Sequence, residues 1–272
     1  MDPRHEAHGV EAIEVTVSLL GRITAVIDGH ELRLTGRHAQ ALLAVLALRP
    51  RLRSREAVAT DLWPDADAGC TASLRQALWL LRGALNGVGV DPDRVIEADQ
   101  ESIGLRPTVR LDVDAHRFER LVRCGPAQPE EAIRLYRGDL AEGLGHECFA
   151  ADRERLSDAY EDALALAAGA RLTGGDLDGA RCAAEELIAR DSLREEGHEI
   201  LIRIYGTIGS RSQVLRQFRR LAATLEREIG VEPLPETIAA YRHALDQTVE
   251  RSRRRAASDV FAPLMPLAAY PT

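Results

Sequence analysis

From residue 114 onward every periodic segment of the chain reads as helix, and none reads as strand. AHRFERLV, PEEAIRLYRG, RERLSDAYEDALALAAGARL, LDGARCAAEELIAR, LREEGHEILIRIYGTIG, SQVLRQFRRLAATLEREIG and PETIAAYRHALDQ follow one another. Their apolar residues recur at helical spacing. Gly174-Gly175-Asp176, Gly209-Ser210 and Gly230 to Pro233 punctuate the later ones. This excludes a sheet-centred second half. An offset of about 34 residues aligns Gly175 with Gly209, Ala180 with Val214 and Leu187 with Leu221. That is the tetratricopeptide length, although most positions of that repeat's signature are unfilled, so a plain helical bundle stays open as the alternative.

The first half is different. IEVTVSLLG alternates apolar and polar residues, and ITAVIDGHELRL does so around Asp28-Gly29, a hairpin-turn pair. Thr35 is expected to cap a helix that ends before Pro50, and Ser54 a second helix that ends at Pro64. Thr71 opens a third, TASLRQALWLLRGALN. GVGVDPD then reads as loop, and Asp99-Gln100-Glu101-Ser102 as the turn of a hairpin. Val109 to Val113 reads as a further strand. Strands, three helices and a closing hairpin make a winged helix-turn-helix. The expected architecture is mainly α with a small β component. A winged helix over 13–112 precedes an all-α tetratricopeptide-like helical repeat domain over 113–250. Residues 1–12 and 251–272 are expected to be unstructured ends.

Composition excludes several functions. All 35 basic residues are arginine. A phosphate-loop lysine, a Schiff-base lysine and a Ser-Lys pair are therefore impossible. Cys70, Cys124, Cys148 and Cys182 show no zinc spacing, and His146-Glu147-Cys148 are sequence neighbours that cannot share one face. No nucleophile elbow is present. The chain is read as a non-enzyme without a cofactor or metal. No apolar run reaches membrane-spanning length, and MDPRHEAHGV lacks the apolar core of a signal peptide. A cytoplasmic protein is the expectation. Net charge is −8, yet residues 20–85 are locally net +3, a distribution compatible with nucleic acid.

Within the third helix Leu74, Leu78, Leu81 and Leu85 form one apolar stripe. Ala72, Gln76, Trp79 and Gly83 point away from it, beside Arg75 and Arg82. Arg75 and Arg82 suit guanine edges or phosphates; Gln76 suits a base edge; Thr71 and Ser73 suit a phosphate at the helix start. Arg37, Arg53 and Arg94 are expected phosphate contacts around it. Each has a plain alternative: solvated arginines and glutamine, and an N-cap for Thr71 or Ser73.

In order and spacing, TGRHAQALLAVLAL, SREAVATDLWPDADA, TASLRQALWLLRGAL and VDAHRFERL resemble the Streptomyces antibiotic regulatory protein family. LYRGDLAEGL, RERL, GGDLDGARCAAEELIARDSLREEGHEILIRIY and LEREIGVEPLPET resemble its bacterial transcriptional activation domain. The resemblance implies an activator that binds direct repeats of double-stranded promoter DNA, dimerises and recruits RNA polymerase in antibiotic biosynthesis. It also implies that the loop bearing Asp65 and Asp67 touches a protein partner. Two departures matter. Ser102-Ile103-Gly104-Leu105 replaces the usual Gly-Tyr-basic-Leu wing segment, and Trp79-Leu80 replaces polar or basic residues. They keep a second class open: a tetratricopeptide-type interaction scaffold whose winged helix binds DNA weakly or not at all.

Overall fold

The computed structural model describes residues 12–64, 70–123 and 129–260. They form two compact units that divide between Tyr160 and Glu161. The first begins with β1 (Glu14–Ser18), β2 (Thr24–Ile27) and β3 (His30–Glu31). Alternation is visible in β1, where Val15 and Val17 are buried and Glu14 and Thr16 exposed. Asp28 and Gly29 both take positive φ, 45° and 81°, the geometry a two-residue hairpin turn requires. The expected strand near Val109 is β7 (Arg110–Val113), and it pairs parallel with β1 rather than with the hairpin.

Three helices follow. In α1 (Arg37–Leu48) everything from Ala41 to Leu48 is buried. Thr35 is not its cap. Gly36 holds that position at φ 92° with no side-chain bond, and threonine rarely adopts that backbone. Ser54 does cap α2 (Arg55–Leu62), its Oγ accepting the Ala57 N–H at 3.1 Å. In α3 (Cys70–Gly87) Leu74, Ala77, Leu81 and Leu85 are buried, while Leu78 is only half-buried. A single turn, α4 (Pro92–Val95), lies where a loop was expected; Asp91 caps it and Pro92 opens it. The wing is a three-stranded sheet, because β4 (Arg53–Ser54) pairs with β6 (Ser102–Leu105), which pairs with β5 (Ile96–Ala98). At its tip the Asp99 carboxylate accepts N–H bonds from Ser102 and Glu101. Those bonds hold its carboxyl below the ordinary range. Gly104 explains one departure from the family pattern. A Cβ there would lie 3.0 Å from the Leu52 backbone.

The first unit continues through α5 (Asp114–Arg123), α6 (Pro129–Leu135), a 3-10 turn at Glu147–Phe149 and the start of α7 (Ala150–Thr173). Asp114 accepts the N–H groups of Leu19 and Leu20 at 2.7 and 3.2 Å. The motif LYRGDL closes on the turn after β1. Gly138 approaches Gly21 so tightly that an added Cβ would stand 3.0 Å from the Gly21 Cα, and the Asp139 carbonyl accepts the Gly21 N–H at 3.1 Å.

The second unit contains the rest of α7, then α8 (Leu177–Arg190), α9 (Glu195–Ile208), α10 (Arg211–Ile229) and α11 (Pro235–Val260). Central α9 packs on α8, α10 and α11. Helices α8 and α10 start 34 residues apart. The aligned pairs Ala180/Val214 and Leu187/Leu221 are fully buried. Ile202, Val214 and Ala244 form a core backed by a stacked Phe218–Tyr241 pair. The expected unstructured end at 251 is corrected through residue 260, which α11 includes. Its Arg- and Ala-rich sequence favours helix, and no glycine or proline interrupts it before Pro263. Residues 1–11 and 261–272, the rest of the expected ends, lie outside the described residues. Among the described residues no helix is long and apolar enough to cross a membrane.

Helix α9 meets α11 at Gly206, where a Cβ would stand 2.7 Å from the Ala244 Cβ and 2.8 Å from its Cα. One colliding atom is backbone, so the helices must separate to admit a methyl group. Gly206→Ala is expected to lower stability by about 2 kcal/mol. Chemical denaturation followed by far-ultraviolet circular dichroism tests this, and an unchanged midpoint would contradict it.

Candidate nucleic-acid interface

Helix α3 carries the candidate face. Its apolar residues bury against α1 and α2, which leaves Thr71, Ala72, Arg75, Gln76, Trp79 and Gly83 exposed. Ser73 is half-buried beside them. The first two turns therefore present hydroxyl, methyl, guanidinium and amide groups together. The Arg75 Nε reaches back to the Thr71 carbonyl at 3.4 Å, which holds its guanidinium over the helix start.

Three other expected contacts, Arg53, Arg82 and Arg94, have partners inside the protein. Arg82 donates to Asp93 on α4 at 2.8 Å, its side chain 37% exposed. Arg106 also donates to the backbone carbonyl of Asp93. This pairing ties α3 to the base of the wing. Arg53 lies on wing strand β4 and donates to Asp61 of α2 at 2.7 Å. Arg94 lies on α4 and lines a polar concavity of about 730 Å³ with Glu14, Asp28 and Arg110. Arg37 stands exposed in the first turn of α1. Asp65 and Asp67 lie outside the described residues. The fold thus gathers Thr71, Arg75, Gln76 and Trp79 on one exposed helix face and distributes Arg37, Arg53, Arg82 and Arg94 around it.

Sequence reasoning gave Arg33 no role and Thr35 only that of a cap. They lie beside Trp79, along a groove of about 540 Å³. They precede α1 by a few residues, so nothing in the linear pattern links them to the third turn of α3. Leu80 is half-buried, its Cδ1 3.9 Å from where a Cβ on Gly36 would sit. Trp63 sits in a ring cluster with His38 at 5.2 Å and His146 at 6.5 Å. Burial first, then the neighbouring His38, lowers the pKa of His146.

Proteins of related sequence and fold are transcriptional regulators. The family described as bacterial transcriptional activator domain matches residues 113–245. The chain is 28% identical over 250 residues to the transcriptional regulatory protein EmbR of Mycobacterium tuberculosis, covering 84% of this chain and 63% of that protein. It is 33% identical over 137 residues to the transcriptional regulator RedD of Streptomyces coelicolor, covering 44% of this chain and 38% of the relative. It spans less than two thirds of either relative's length. Among solved structures, M. tuberculosis EmbR in complex with a low-affinity phosphopeptide matches with a TM-score of 0.69 at 25% identity. That match covers 91% of this chain and 70% of that one. With a winged helix leading into this activator domain, the chain resembles transcriptional regulators of the Streptomyces antibiotic regulatory protein family.

Proposed function

We propose that the chain is a sequence-specific activator whose α3 enters the major groove of promoter DNA at direct repeats. The observation that carries this is the exposed first half of α3. Thr71, Arg75 and Gln76 suit a groove of phosphate walls and base edges. On this reading Arg75 and Gln76 contact bases, and Thr71 and Ser73 a phosphate. Arg37 is a phosphate contact. Arg53, Arg82 and Arg94 serve the interface chiefly by fixing the wing. Residues 113–250 then supply dimer and RNA polymerase contacts, in the manner of a tetratricopeptide-like surface, for a cytoplasmic regulator of secondary metabolism. The segment bearing Asp65 and Asp67 is the proposed polymerase-facing edge.

A mobility shift on DNA selected from random sequence tests this. Arg75→Ala with Gln76→Ala is expected to weaken binding about 30-fold, with folding unchanged because both side chains are exposed. Arg37→Ala should weaken all sequences equally and lower the salt slope by about one. A double variant that shifts DNA as the parent does would remove α3 from the interface. One observation favours the scaffold reading instead: Arg53 and Arg82 are already paired with carboxylates. Binding to a protein partner that persists unchanged as salt rises, with no DNA shift, is its signature.

A further inference from the structure

Trp79 is 72% exposed, the most exposed large apolar side chain among the described residues. Exposed Ala72, Gln76 and Gly83 lie on the same line of α3. At 1.5 Å per residue, the indole lies roughly 4.5 Å beyond Gln76 along the helix axis. It therefore continues the face assigned above to base edges. The groove of about 540 Å³ beside it is lined by Glu31, Arg33 and Thr35, by Gly83, Ala84 and Gly87, and by the apolar Leu80 and Val88. Nothing lies within 4 Å of where a Cβ would stand on Gly83 or Gly87, so a strand of nucleic acid can come close to the helix there. The surrounding charge also suits nucleic acid. Arg33 lines the groove with the ring and Arg75 stands one turn before it on α3, both exposed, and among the described residues no carboxylate pairs with Arg33. Guanidinium groups beside the ring suit a ligand walled by phosphates.

The chemistry narrows the ligand group. An indole has one N–H donor and no acceptor, so it cannot make the two-point contacts by which arginine and glutamine read bases. What its ring covers is apolar. The only apolar group that a base pair displays in the major groove is the C5-methyl of thymine. We propose that Trp79 is a specificity-determining residue that packs on a thymine methyl, one step beyond the base pair facing Gln76. The inference rests on the DNA-binding reading above.

The test uses the full chain and the duplex it selects from random sequence, resynthesised with deoxyuridine for thymine one position at a time. This removes a methyl group and leaves every hydrogen bond. At one position the parent chain is expected to lose about fourfold in affinity, the worth of one buried methyl. Trp79→Ala should bind the thymine and deoxyuridine duplexes equally, while Trp79→Phe keeps the preference. An unchanged melting curve for Trp79→Ala shows that its fold is intact. The inference is overturned, with DNA binding left standing, by a selected site without thymine. It is equally overturned if the parent chain is indifferent to every deoxyuridine, or if the penalty persists in Trp79→Ala. A chain that enriches no sequence overturns both readings together.

Discussion

A fragment ending at residue 112 is expected to show no cooperative unfolding transition, whereas one ending at Thr173, where α7 stops, unfolds in a single step. The winged helix proper is complete by residue 113, and the activator-domain match begins there. The first compact unit nevertheless runs to Tyr160. Truncation at 112 removes Phe118, Leu140, Phe149 and Leu156, all with 0% exposure. Each such side chain contributes about 2 kcal/mol when buried. Four of them approach the whole net stability of an ordinary domain, about 5–15 kcal/mol. The polar losses compound this. Leu19 and Leu20 lose the Asp114 carboxylate that accepts their N–H groups. The Leu19 carbonyl loses the Ala141 N–H at 2.7 Å, and Gly21 loses both of its partners, Asp139 and Glu142. Arg49, at the end of α1, loses Asp152 and the Cys148 carbonyl. Backbone groups stranded this way cost about 1–3 kcal/mol each where they stay buried. Trp63 and Trp79 both lie in the first unit, so tryptophan fluorescence during urea unfolding reads this directly. A fragment over 12–112 with a sigmoidal transition and native-like emission would contradict the expectation.

Why this dependence escapes a reading of the sequence is a matter of range. The α3 stripe is local. Leu74, Leu81 and Leu85 are buried where the period places them, and Ala72, Gln76, Trp79 and Gly83 are exposed on the opposite line. The hairpin turn at Asp28-Gly29 and the Ser54 cap are equally local. The departures involve distant partners or very short elements. Strand β7 pairs with β1 across nearly a hundred residues. The two-residue β4 and the one-turn α4 are too short to show a period. The candidate site divides the same way. Which α3 residues face outward follows from helical geometry, but that Asp93 takes Arg82, and Asp61 takes Arg53, depends on tertiary approach. The motif LYRGDL was legible as a resemblance, and the Gly138–Gly21 approach supplies its physical reason.

The second unit is expected to lose about 3 kcal/mol of stability between pH 6.5 and pH 4 through one side chain, His198 on α9. Its side chain is 1% exposed. Its Nδ1 accepts from the Gln217 amide on α10 at 2.9 Å, so the ring proton belongs on Nε2, which has no partner among the described residues. Protonating Nδ1 would set two donors against each other inside the core. Burial above all, then the positive charge of Arg220 on α10, lowers the pKa to about 4, against a weaker opposing contribution from the Ser192 backbone. The sign follows. In the unfolded chain this histidine takes a proton near pH 6.5; in the folded unit it does not until about pH 4. Across that window the unfolded state binds more protons, so stability falls as pH falls, by about 1.4 kcal/mol per pH unit at its steepest. Above pH 6.5 the group is neutral in both states and the dependence vanishes. Replacing His198 with glutamine keeps a polar side chain and removes the titration. The difference in unfolding free energy between parent and His198→Gln should therefore be level above pH 7 and shrink steadily toward pH 4.5. Far-ultraviolet circular dichroism, which follows α8 to α11, reports this without help from the tryptophans of the first unit. A difference that stays constant from pH 7 to 4.5 would mean that His198 is protonated as readily in the folded unit as in the unfolded chain. In that event Nδ1 would be a donor in the folded unit, and the Gln217 amide would have to be turned so that its Oε1 accepts from it.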